Sequence, residues 1–201
     1  MQDLVLLVAD KNMHFALEGA LQRPDALDIR PVEFKFDVHS GRDGGARKTG
    51  PQMLALRRRV FSHALLVLDF EGSGTKLADA GALEGELDDR LGKDWGTQAK
   101  AIVIEPELDI WMWGSDNLIE TVIGRPSESG LRPWLRERGF EFDANDKPKR
   151  PKEALETVLL QTRQPRSSAL YQSVASKISL RKCTDGAFQR LRHQLVTWFP
   201  K

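Results

Sequence analysis

Residues 64–74, ALLVLDFEGSG, run from an apolar stretch into two carboxylates, Asp69 and Glu71, and then into glycine and serine. Two other apolar runs end the same way. LVLLVA (4–9) is followed by Asp10, and AKAIVI (99–104) by Glu105, Glu107 and Asp109. Carboxylates brought close together repel one another, and one is forced neutral unless a cation compensates. A hard divalent ion, Mg²⁺ or Mn²⁺, takes oxygen ligands and suits such a cluster. It can polarise a phosphoryl oxygen or generate a hydroxide. The competing reading is that Asp10 caps a helix and that Asp69 and Glu71 are turn residues.

A second group of residues carries positive charge. HSGRDGGARKTG (39–50) places His39, Arg42, Arg47 and Lys48 among glycines. Glycines let backbone amides approach an anion, and Arg42, Arg47 and Lys48 would hold a phosphate. The same stretch also reads as a basic surface loop. It lacks the spacing of a P-loop, and ADKNMH after the first apolar run has no glycine, so a dinucleotide fingerprint is absent. Arg57–Arg59 read as a solvated helix face, and KPKRPK (147–152) as a linker whose contribution to nucleic-acid affinity would be salt-sensitive. The four histidines and Cys183 show no zinc spacing. No serine sits in a nucleophile elbow.

The elements that must position these groups follow from periodicity. LVLLVA, HALLVLDF and AKAIVI are short continuous apolar runs, the pattern of strands buried on both faces. Residues 32–38 alternate, with Val32, Phe34, Phe36 and Val38 on one side, so a half-exposed strand is expected. Helices are expected over 10–23, from Pro51 to about Phe61, over 83–95 and over 109–124, with 41–51 as a loop. Met53, Leu54, Leu56 and Val60 are candidates for burial. The order β-α-β-α-β-α-β-α predicts an α/β fold with a mainly parallel sheet flanked by helices. All strands of such a sheet finish on one edge, which is where open α/β folds bind ligands. Acids scattered over a hundred positions would then meet there.

From about Leu131 only helices are expected, so the chain divides into an α/β domain (1–130) and a helical C-terminal region (131–201) packed on it. Phe188, Leu191, Leu195 and Trp198 form one stripe, directed at the sheet or at a partner. Trp111 and Trp113 are expected to pack under the sheet edge. Charge is balanced, 30 basic against 29 acidic residues, which argues against an overall polyanion-coating role. One cysteine in 201 residues fits a reducing cytoplasm. MQDLVLLVADKN has neither a signal-peptide pattern nor the length of a membrane span.

The segments VADKNMH, LDFEG and PELDIW, in this order, resemble the TOPRIM fold and most closely the small TOPRIM-like proteins of bacterial defence loci related to OLD-family nucleases. PELDIW is the most specific of the three, and SLRKCTDGAFQRLRHQL is similar to the closing helices of that group. The resemblance covers most of the chain. It implies a component of a methylation-associated, restriction-like anti-phage system, with other defence proteins as partners and nucleic acid as a substrate. It implies Mg²⁺ (or Mn²⁺) on Asp69 and Glu71, supported by Glu107 or Asp109, with Asp10 as general acid/base or further ligand. Three departures stand out. Asp10 replaces a glutamate, D-x-E replaces D-x-D, and His14 stands where an acid is expected. They leave open a catalytically degenerate subunit with a structural or sensing role. Oligomeric state is not legible.

Overall fold

The computed structural model describes the chain from Met1 to Lys201 apart from Ser115, Arg125 and the side chain of Asp116. Four strands, β1 (Gln2–Val8), β2 (Phe34–Val38), β3 (Phe61–Asp69) and β4 (Ala99–Ile104), form one sheet in the order β2-β1-β3-β4. All three pairings are parallel. The fold is α/β, as the alternation of elements requires.

Leu4–Val8 and Ala64–Leu68 are buried without a break, because β1 and β3 are the inner strands and have helices on both sides. β2 is an edge strand. Phe34 and Phe36 are half-buried, and Val38 is exposed. One face carries α3 (Arg42–Ala55) and α4 (Ala80–Trp95). The other carries α1 (Lys11–Leu21) together with α8 (Ser168–Lys177) and α9 (Gly186–Trp198). Between them in sequence lie α2 (Pro24–Leu27), α5 (Asp116–Ile123), α6 (Leu131–Arg136) and α7 (Pro151–Gln161). The expected helix over 109–124 divides into a 3-10 segment, Leu108–Gly114, and α5, and the expectation at Ser115 lies outside the described residues.

The largest correction concerns 41–51. This stretch is the first three turns of α3, not a loop. Close packing explains Gly50, where a Cβ would stand 2.8 Å from Leu66 Cδ1. Pro51 lies inside the helix rather than at its start. Proline cannot donate to the carbonyl four residues earlier. Arg90 from α4 donates there instead, to the carbonyls of Arg47 (2.7 Å) and Lys48 (2.6 Å). The helix then ends at Ala55. Arg57–Arg59 fall in a turn, where Arg57 grips Asp37 through two hydrogen bonds of 2.8 and 3.0 Å. Leu54 is buried, whereas Met53, Leu56 and Val60 are exposed.

The C-terminal helices complete the core. Phe188, Leu191 and Leu195 are buried against Leu6, Leu17 and Leu27, so this stripe faces the sheet and not a partner. Trp198 is half-buried beside His63, with ring centroids 4.7 Å apart. Trp113 is buried and donates to Pro151 O (3.1 Å), while Trp111 donates to Asp185 (2.8 Å) and meets Phe188 edge-on. Among the described residues no helix is long and apolar enough to cross a membrane.

Candidate functional site

From β1 the chain crosses to β2 on one side and later to β3 on the other. The strand order therefore reverses between β1 and β3, and the crevice beyond their C-terminal ends is the ligand position of an open α/β sheet. Here it is a polar cleft of about 580 Å³. Asp10, Asp69, Glu71, Glu107 and Asp109 all line it, so the acids of three strand ends do converge.

Each acid is held differently. Asp10 is the N-cap of α1, and its Oδ1 accepts from Met13 N–H at 2.9 Å. The capping role and the cleft position coexist. Asp69 ends β3, and its Oδ1 accepts the N–H of Leu108 at 2.8 Å. Glu71 is exposed, and its N–H donates to Pro106 O at 3.0 Å, which brings the LDFEG turn beside PELD. Asp43 enters from the first turn of α3 and accepts the Asp69 N–H at 2.8 Å. The turn passes close to it at Gly72, where φ of +85° favours glycine and a Cβ would lie a tight 3.3 Å from Asp43 Oδ2.

Loss of solvation pushes the Asp69 carboxyl well above the usual range, and the neighbouring charges of Asp43 and Asp10 push it further. Burial raises Asp43 too, with Asp10 adding to it. These three aspartates form a wall of like charge. The opposite wall is compensated. Asp109 is buried and raised first by burial. It accepts from Arg166 Nη2 at 3.0 and 2.9 Å and from the Tyr171 hydroxyl at 2.8 Å. Glu107 lies 3.8 Å from Lys152 Nζ. Burial and the nearby Asp109 charge push Glu107 up to about 7.

Of the expected phosphate-binding residues, Arg42 lines the cleft, at φ +51° where the chain turns into α3. Arg47 and Lys48 stand outside it. Arg47 staples the turn after β3, donating to the carbonyls of Ser73 (2.8 Å) and Gly74 (3.3 Å), and Lys48 is an exposed residue of α3. His14 packs against Phe36, with centroids 4.3 Å apart. Four cleft residues with polar side chains were not among the expected site residues: Asp43, Asn12, Lys152 and Arg166. Asp43 was hidden because the helix that carries it reads locally as a glycine-rich loop. Lys152 was visible only as the end of the basic KPKRPK stretch, and Arg166 carried no signal, because both arrive from the helical region after long excursions of the chain.

Oxygen donors without thiolate or imidazole match a hard divalent ion in kind. The side chains do not close into a finished coordination set. Among the described residues no group of three or more His, Cys, Asp or Glu is placed to hold a metal ion. Asp109 is already committed to Arg166 and Tyr171. Comparison with known protein families, with curated proteins and with solved structures finds no match.

Proposed function

We propose that this chain is a TOPRIM-like component of a bacterial anti-phage defence system and that its cleft handles a phosphodiester with the aid of Mg²⁺ or Mn²⁺. The observation that supports the reading most is the wall of like charge: Asp10, Asp43 and Asp69 converge at the strand-order reversal, and two of them are driven towards neutrality. The defence assignment rests on the order of VADKNMH, LDFEG and PELDIW.

Mg²⁺ commonly keeps several waters and binds through one or two carboxylates plus substrate phosphates. Asp69 and Asp43, with Asp10 or Glu71 nearby, would hold it. Once bound, it would neutralise and polarise a phosphoryl oxygen. The remaining roles fall to the chain. Arg42 and Lys152 line the cleft as cations for a phosphate. Glu107, near 7, is poised to give or take a proton at neutral pH. Asp109 positions Arg166 and is not free to ligate.

A second reading, a catalytically degenerate subunit, is favoured by two observations: Asp10 caps a helix, and Asp109 is consumed by an ion pair. Calorimetric titration with Mg²⁺ and Mn²⁺, followed by a nuclease assay on DNA and RNA, separates the two. On the first reading, wild type binds the ion and cleaves, and Asp43→Asn/Asp69→Asn does neither. Cation binding without cleavage would favour the degenerate subunit. Full binding in the double variant would rule out this metal site.

A further inference from the structure

A second polar pocket, of about 370 Å³, opens where the 3-10 segment Leu108–Gly114 ends, against the 145–147 turn and the connection between α8 and α9. Arg132, Lys147 and Lys182 line it together with Asn145, Ser179 and Thr184. Among the described residues lining it none is acidic. It shares no lining residue with the cleft.

Lys147 is the unusual member. Its side chain is only 8% exposed, and its ion-pair partner, Asp185 Oδ2, is 3.7 Å from Nζ. That separation is beyond hydrogen-bonding reach. Among the described residues the ammonium makes no hydrogen bond. Asp185 is itself engaged elsewhere, accepting from Trp111 Nε1 (2.8 Å) and capping α9 through the Phe188 N–H (3.0 Å). The stem of Lys147 is buried, but Nζ itself is not closed off, so its unused donors open on the pocket. Lys182 is exposed at the mouth and carries no ion pair among the described residues. Arg132 is held back by Asp146 at 2.9 Å, so Lys182 supplies the unpaired charge and Lys147 its unused hydrogen-bond donors.

We propose that this pocket is an oxyanion site for a phosphate group, with Lys147 and Lys182 as its charges and Ser179, Thr184 and Asn145 as its neutral donors. Two ammonium groups act as point charges and suit a tetrahedral dianion, whereas a planar carboxylate is matched best by the fork of an arginine. The volume admits a phosphate with a substituent. The phosphate could be free or part of a nucleic-acid backbone.

Two titrations of the whole chain distinguish these sources: inorganic phosphate by calorimetry, and a short single-stranded oligonucleotide by fluorescence anisotropy, with phosphate as competitor. Each charge-assisted hydrogen bond is expected to account for about tenfold in affinity. Wild type should bind one or both, and Lys147→Met and Lys182→Ala should each weaken binding by about that factor. Binding of inorganic phosphate alone assigns a free anion, and binding of the oligonucleotide that phosphate displaces assigns a backbone. Lys182→Ala removes an exposed side chain and so tests the site even where Lys147→Met does not fold. No binding of either ligand by wild type, or equal binding by the variants, overturns the proposal. The inference is independent of the cleft: Asp43→Asn/Asp69→Asn should leave phosphate binding here unchanged, and Lys182→Ala should leave cation binding there unchanged.

Discussion

The two walls of the cleft are built from the same residue types and end in opposite electrostatic states. Asp69 faces Asp43 and Asp10, while Asp109 faces Arg166 and Tyr171. Burial raises both carboxyls, so desolvation does not distinguish them. The difference lies in what each was given as a partner. The β4 wall is self-neutralised and fastens the helical region to the sheet, since Arg166 and Tyr171 both belong to the C-terminal part of the chain. The β1/β3 wall has backbone amides and one nearby cation, Arg42 beside Asp43, but no ion pair among the described residues. One wall is therefore structural, and the other has unspent negative charge.

That contrast is sharpest in stability. Arg166→Met strands Asp109 in a buried site, and loss of one partner of a buried pair costs about 3 kcal/mol or more. Asp69→Asn removes a repulsion while its side-chain oxygen can still accept from Leu108. In urea denaturation without divalent ions, the first variant should be strongly destabilised and the second unchanged or more stable. Equal losses would mean that the walls do not differ.

A smaller effect is expected with pH. A carboxyl whose pKa is raised by folding binds more protons folded than unfolded, so its contribution to stability falls as pH rises. For Glu107 the contribution is complete below its ordinary 4.5 and is lost as pH climbs through about 7. Asp69 and Asp43 act in the same direction. Thermal melts across this range should show a decline that Glu107→Gln flattens. A stability that rises from pH 5 to 7 by the same margin in both proteins would contradict this assignment.

The smallest effect is expected from Arg47, which stands outside both walls. Arg47→Ala loses two hydrogen bonds to the turn after β3, about 1 kcal/mol in total. Cation affinity in the cleft should be unaffected, as judged by the same calorimetric titration. A large loss of affinity would bring Arg47 back into the site.

Much of this architecture is local and therefore readable from the chain. Uninterrupted apolar runs of five or six residues flanked by helical patterns specify buried parallel strands, and parallel strands carry their terminal acids to one edge. Asp10, Asp69, Glu71, Glu107 and Asp109 could be brought together on paper for that reason alone. What sequence could not supply is the state of each acid once it arrives. Residues 41–51 look like a loop because glycine and proline disfavour helices locally. Contact with Leu66 and the donation from Arg90 override that preference, and with the helix comes Asp43. Arg166 and Tyr171 lie 57 and 62 residues from the carboxylate they neutralise. Helix periods and strand runs are set by neighbours within a few positions. Which carboxylate meets a cation and which meets another carboxylate is set by packing between distant segments, and only the tertiary structure decides it.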